Sequence, residues 1–253
     1  MPTLFLQTSL FFLGTIVGSF LGVLIHRYKK NESGIIFGRS HCNYCQKKLA
    51  AKDLVPLASF ILLKGRSRCC NKKIGKEYFF LEIITGILFG LLWIIFPDAP
   101  TFIFFTIITT IMIAIAWYDG LFQEIPDIFS ITGILAALIG NLLLQKIQIN
   151  EIGIGALIGF LFFKMQHVIS KGKWIGEGDI FLGIFMGIFL GWKNLLVALF
   201  FAYMTGAIIG LILLLQKKAH GKTAIAFGPF LMAGTIFAMF FGDVIVHWYG
   251  NTL

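Results

Sequence analysis

Residues 101–119 read TFIFFTIITTIMIAIAWYD, seventeen residues without a charge followed by Tyr118 and Asp119. As a helix rising about 1.5 Å per residue, such a run covers roughly 26 Å, close to the ~30 Å hydrocarbon layer of a bilayer. A carboxylate at the centre of a membrane helix costs about 2.5–3.5 kcal/mol on insertion scales, and here the acid stands at the end of the run.

Outward from this segment the same pattern repeats. Apolar runs at about 4–25, 78–97, 128–145, 151–169, 179–192, 195–215 and 224–248 join 101–117 to predict eight spans. The one at 179–192 is short and rich in glycine. Pro97 and Pro100, Pro126, and the Lys171-Gly172-Lys173 cluster punctuate them. The expected fold is an all-α polytopic transmembrane helical bundle with one long cytoplasmic loop that carries cysteines. Of the 253 residues 58% are hydrophobic and 13% charged, against about 25% charged in a soluble domain.

The net charge of +9 invites a nucleic-acid partner, and its distribution argues against one. Thirteen of the 21 Lys and Arg residues lie between Arg27 and Lys76. Basic residues flanking spans report the cytoplasmic side. With the 27–76 loop cytoplasmic, alternation brings Lys164, Lys171, Lys173, Lys217, Lys218 and Lys222 to the same side. Only Lys146 and Lys193 fall outside. Both termini are then expected outside. Met1–Ile25 lacks a basic start and runs too long for a signal peptide, so it is expected to stay as the first span.

Glycines recur four apart at Gly18/Gly22, Gly86/Gly90, Gly155/Gly159, Gly183/Gly187/Gly191 and Gly206/Gly210, a spacing that lets membrane helices approach closely. Gly153-x-Gly155 with Gly159 follows no strand, so a dinucleotide loop is set aside.

The twelve acids sort by position. Glu32, Asp53 and Glu77 lie in or beside the basic loop and are expected to be solvated. Asp98, Glu151 and Asp243 fall near the outer face. Asp127 is expected to cap the span that follows it, and Glu124 and Glu177 to face solvent. Glu82, inside a span, and Asp119 and Asp179 remain, the two aspartates at one depth on one face, each flanked by glycine. Asp at a helix start is a common cap. Two carboxylates about 4 Å apart, however, repel by about 4 kcal/mol at an effective dielectric near 20, so one holds a proton that the other gives up. Such a pair can activate water and polarise a carbonyl together.

Gly176-Glu177-Gly178-Asp179 fits the G-x-G-D signature of intramembrane aspartic peptidases, and Tyr118-Asp119 supports it. GSFLGVLIHR (18–27), SHCNYC (40–45), DLVPLASFILLKGR (53–66), EYFFLEIITG (77–86), YDGLFQEIPD (118–127), GEGDIFLG (176–183) and AFGPFLMAG (226–234) follow in order. Over residues 10–240 the chain resembles the type IV prepilin leader peptidases. The resemblance implies an enzyme of the bacterial inner membrane that cleaves the leader of prepilins or pseudopilins at the cytoplasmic face. It implies Asp119 and Asp179 as catalytic pair, with Tyr118, Gly176 and Gly178 as supporting motif. It further implies N-methylation of the new N-terminus with S-adenosylmethionine, marked by Glu82. Two parts are expected, 1–97 around the cysteine loop and 98–253 as the peptidase. The basic loop is expected to set topology and meet anionic lipid.

The family's loop holds two cysteine pairs, and this chain departs from it at Ser67, where a cysteine usually stands. Two readings stay open. In one, zinc is held by Cys42, Cys45, Cys70 and Cys69, which requires an altered turn. In the other, the loop is held by packing alone, with free thiols. Three further functions compete with the prepilin peptidase. A presenilin-like peptidase lacks the cysteine loop and the 18–27 block. A proton-coupled transporter would place acids near the midplane. A non-catalytic assembly factor would not need both aspartates.

Overall fold

The computed structural model describes residues 2–32, 38–216 and 225–251, with the side chains of residues 2 and 3 left aside. Lys217, Lys218 and Lys222, part of the charge argument, lie outside the described residues. The elements are helices α1 (Pro2–Lys29), α2 (Ala58–Leu62), α3 (Lys76–Ile95), α4 (Ala99–Phe122), α5 (Asp127–Leu144), α6 (Ile149–Ser170), α7 (Glu177–Leu215) and α8 (Gly228–Gly250). All but α2 are long and apolar enough to cross a membrane. No strand occurs among the described residues, only two isolated bridges in the loop. The chain divides into two compact units, 1–106 and 107–253.

In the first unit α1 lies against α3 along a seam of small residues. A Cβ on Gly14 would stand 2.7 Å from the Thr85 carbonyl oxygen, one on Gly18 2.9 Å from Glu82 Cα, and one on Gly22 2.8 Å from the Tyr78 ring. Such contact lets dispersion hold two helices where lipid is as apolar as leucine. Gly86 belongs to the seam, meeting Thr15 and Phe11, whereas nothing lies within 4 Å of a Cβ on Gly90. The expected role of Gly90 as a packing residue is therefore corrected: it faces away.

Seven helices among the described residues are long and apolar enough to cross a membrane, and one of them, α7, holds both of the expected runs 179–192 and 195–215, divided by a break at Gly191. At 39 residues it would extend about 58 Å if straight. It is not straight. Gly191 adopts φ 70° and ψ 171°, a conformation that favours glycine and ends the helical ladder. Before it, Gly183 packs on Gly159 and Gly187 on Gly155. After it, Lys193 Nζ donates to Glu151 Oε1 at 3.0 Å, and Tyr203 Oη donates to Gln166 Oε1 at 2.9 Å. The contacts run toward the start of α6 and then back to its end, so α7 doubles back at Gly191. Buried Asn141 of α5 donates to the Ile188 and Phe189 carbonyls at 2.9 and 3.3 Å. Those carbonyls lose their helical partners at the break, and the Asn141 amide takes the place of the missing donors. Helix α8 packs along the returning half, Gly234 against Ala198 and Gly242 against Asn194.

Candidate active site and cysteine knuckles

Asp119 stands one turn from the end of α4, 4% exposed, and its Oδ2 accepts the Gly228 N–H at 2.7 Å. A Cβ on Gly228 would lie 2.7 Å from that oxygen and 3.2 Å from Asp119 Cβ, so glycine is what permits the approach. Asp179 is the third residue of α7, 7% exposed. Its Oδ2 accepts the Gly176 N–H at 3.1 Å, which satisfies one donor at the helix start. Its Oδ1 is buried with no hydrogen-bond partner among the described residues. Asp119 and Asp179 both belong to the second unit, at the end of α4 and the start of α7.

The supporting residues play distinct parts. Gly178 must be small, since a Cβ there would lie 2.9 Å from Ile125 Cβ. Gly176 contributes its N–H, and a Cβ on it would meet only the Asp179 carboxylate at 3.8 Å. Tyr118, 3% exposed, packs edge-on against Phe122 and Phe129. Asp127, expected as a cap, is instead the first residue of α5 behind Pro126, with no side-chain cap bond; its charge there suits the helix dipole. Glu124 and Glu177 are exposed, as expected. Two residues had gone unassigned. Gly228 lies inside the 226–234 block but 109 positions from Asp119. Tyr203, whose hydroxyl ties the second half of α7 to Gln166 of α6, sits in an uninterrupted apolar run with no local signal.

In the first unit Cys42, Cys45, Cys69 and Cys70 bring their sulfurs within 4.8 Å of one another. Two turns of like form carry them. Cys42 N–H donates to Lys47 O and Gln46 N–H to Cys42 O, both at 2.9 Å. Ser67 N–H donates to Lys72 O and Asn71 N–H to Ser67 O, both at 2.8 Å. Gln46 and Asn71 share a left-handed φ of 58° and 57°. Ser67 thus occupies in the second turn the place of Cys42 in the first, Cys70 that of Cys45, and Cys69 that of Tyr44. Cys69 nevertheless joins the cluster, with its sulfur 3.0 Å from Cys45 Sγ. Cys42 Sγ stands 3.7 Å from Cys70 Sγ and 3.4 Å from Ser67 Oγ. Four thiolates on a tetrahedral zinc, at about 2.3 Å each, would be roughly 3.8 Å apart. Burial raises the Cys42 thiol, but bonds from Ser67 and from the Cys45 and Tyr44 backbone outweigh it and bring it to about 6. Cys45 is pushed up to about 12, chiefly by its contact with Cys69. The four crowded sulfurs on two matched turns form a donor set that a cation would hold together.

Glu82 of α3, 8% exposed, accepts the Leu57 N–H through Oε2 at 2.8 Å. Asp53, expected to be solvated, is instead engaged: Arg68 Nε donates to its Oδ1 at 2.7 Å.

Comparison with known proteins places this geometry. Residues 12–96 match the Bacterial Peptidase A24 N-terminal domain, and residues 106–211 match the Type IV leader peptidase family. The chain is similar to a prepilin leader peptidase/N-methyltransferase of Bacillus subtilis (strain 168), 32% identical over 95% of this chain and 96% of that protein. The chain belongs to the type IV leader peptidase family. A prepilin leader peptidase/N-methyltransferase of Aeromonas salmonicida is 28% identical over 98% of this chain and 95% of its own length. A type 4 prepilin-like proteins leader peptide-processing enzyme of Escherichia coli O78:H11 is 29% identical over 88% and 89%. No solved structure matches. Within the family frame both aspartates belong to the segment between 106 and 211, and Glu82 and the cysteine turns to the segment between 12 and 96.

Proposed function

We propose that this chain is an aspartic endopeptidase of the bacterial inner membrane that removes the leader of prepilins or pseudopilins at the cytoplasmic face, with Asp119 and Asp179 as its catalytic pair, and then methylates the new N-terminus. The observation that carries the peptidase reading is the pair itself. Two buried carboxylates sit at helix ends, each held through one oxygen by a backbone N–H, with Asp179 Oδ1 left without a hydrogen-bond partner among the described residues.

The ionised member takes a proton from a water between them, and the oxygen of that water attacks the scissile carbonyl carbon. The protonated member donates to the carbonyl oxygen as it gains charge. Collapse of the tetrahedral centre breaks the C–N bond, and the proton taken from water passes to the departing amine. The Gly228 and Gly176 N–H groups hold the carboxyls in orientation throughout, which keeps reorganisation small. The excess of basic residues in the 27–76 loop supports a cytoplasmic site.

The donor set of Cys42, Cys45, Cys69 and Cys70 fits zinc, which would supply structure rather than chemistry, since four thiolates leave no open position. The methylation limb rests on relatives that carry both activities in their names and on the buried Glu82 carboxylate.

The test is mass spectrometry of a prepilin incubated with the purified chain in lipid nanodiscs, with and without S-adenosylmethionine. A product shortened by the leader alone, and heavier by one methyl group only when the donor is added, is the expected result. An unshortened prepilin contradicts the proposal.

A further inference from the structure

The first unit contains a cavity of about 460 Å³, within the roughly 300–1,000 Å³ range of sites for drug-sized ligands. Its wall joins α1, the first cysteine turn, the 53–63 segment and the first turns of α3. His26 and Tyr78 lie on this wall, stacked on one another with centroids 5.0 Å apart and planes 24° from parallel, each only partly buried. Asn43 of the first turn donates to Tyr78 Oη at 3.1 Å, and His26 Nδ1 lies 2.9 Å from the Gly22 carbonyl oxygen, so both rings are held. Glu82 lies on the same wall.

The chain is strained where it meets Glu82. Leu57 has φ 58° and ψ −52°, and Ala58 N–H donates back to Pro56 O at 2.5 Å, which closes a γ-turn of the rare, positive-φ kind. The turn aims the Leu57 N–H at Glu82 Oε2. Strain kept at a residue with no glycine-like freedom, beside a buried acid in a cavity wall, marks a site held in shape for a ligand.

Resting on the methyltransferase reading, we infer that this cavity is the binding site for an adenosyl sulfonium methyl donor, with the His26–Tyr78 stack as the platform for its adenine and Glu82 facing its sulfonium. An adenine ring needs an aromatic face, and a sulfonium is a fixed cation that a buried carboxylate can match without exchanging a proton. When bound, the donor supplies the methyl group: the new N-terminal amine forms the C–N bond, the C–S electron pair returns to sulfur, and the amine proton leaves to water. Glu82 favours the sulfonium over the neutral thioether that remains, so its contribution falls on donor binding more than on product binding.

The test uses the full chain in nanodiscs and S-adenosylmethionine labelled in its methyl group. Ultraviolet crosslinking followed by peptide mapping is expected to place the label on peptides containing His26, Asn43 or Tyr78. Equilibrium binding is expected to weaken at least tenfold in Glu82→Gln and at least fivefold in Tyr78→Leu, with both variants monodisperse. Glu82→Gln is expected to bind the neutral thioether product within twofold of wild type, a selectivity that a general structural defect would not give. Label confined to 107–253, or wild-type donor affinity in both variants, overturns the site. No binding of donor to the wild-type chain overturns the methylation reading together with it.

Discussion

The Gly228 N–H reaches Asp119 Oδ2 at 2.7 Å, joining residues 109 positions apart at the end of α4 and the start of α8. The bond fixes the rotamer of one carboxyl of the proposed pair and leaves no room for a side chain on residue 228. Gly228→Ala is expected to lower the rate of prepilin cleavage at least tenfold while the chain accumulates normally in membranes. An unchanged rate would mean that Asp119 does not depend on this contact.

Gly86 and Gly90 occupy one helix at the spacing of a packing motif, and only Gly86 is used. Gly86→Ala drives a Cβ to 2.8 Å from Thr15 Cγ2. It is expected to destabilise the first unit by about 1–3 kcal/mol, as overpacking does. Gly90→Ala, with open space before it, is expected to be neutral or to stabilise by up to about 1 kcal/mol from helix propensity. Thermal unfolding of the two variants in detergent separates these outcomes.

Asn141 caps the two carbonyls released where α7 reverses at Gly191. Asn141→Leu leaves them buried without a donor and is expected to cost about 1–3 kcal/mol of stability, read as a lowered midpoint in the same assay.

The cysteine turns are expected to bring one zinc per chain to the purified protein, measured by elemental mass spectrometry. Cys69→Ser is expected to lose it. Ser67→Ala, which removes only a hydroxyl beside the Cys42 and Cys69 sulfurs, is expected to keep the metal with affinity lowered about 10–100-fold. Full zinc in Cys69→Ser would return that thiol to the free state.

Much of this was legible in the residues. Apolar runs ended by charge or proline define the spans because a bilayer tolerates little else. Asp119 and Asp179 stand out because acids are scarce and both fall at run ends. The break in α7 was legible as two runs, 179–192 and 195–215, but Gly191 looked like one more packing glycine, since its left-handed backbone leaves no mark in the residue pattern. Gly228 could not be matched to Asp119, as its role is a backbone donor fixed by long-range packing. Ser67 was visible as a departure, but that Cys69 compensates depends on the local turn, in which the Tyr44-equivalent position swings its sulfur into the cluster. Asp53 looked solvated because its partner Arg68 is fifteen residues away.

The central claim is that Asp119 and Asp179 act as one unit, and the most direct test is the cleavage rate of Asp119→Asn, Asp179→Asn and the double variant. Groups that act together fail together: each single variant is predicted to lose as much activity as the double, at least about a thousandfold, with no further loss on combining them. If either single variant keeps the wild-type rate, or if the two losses multiply in the double variant, the aspartates are not a catalytic pair.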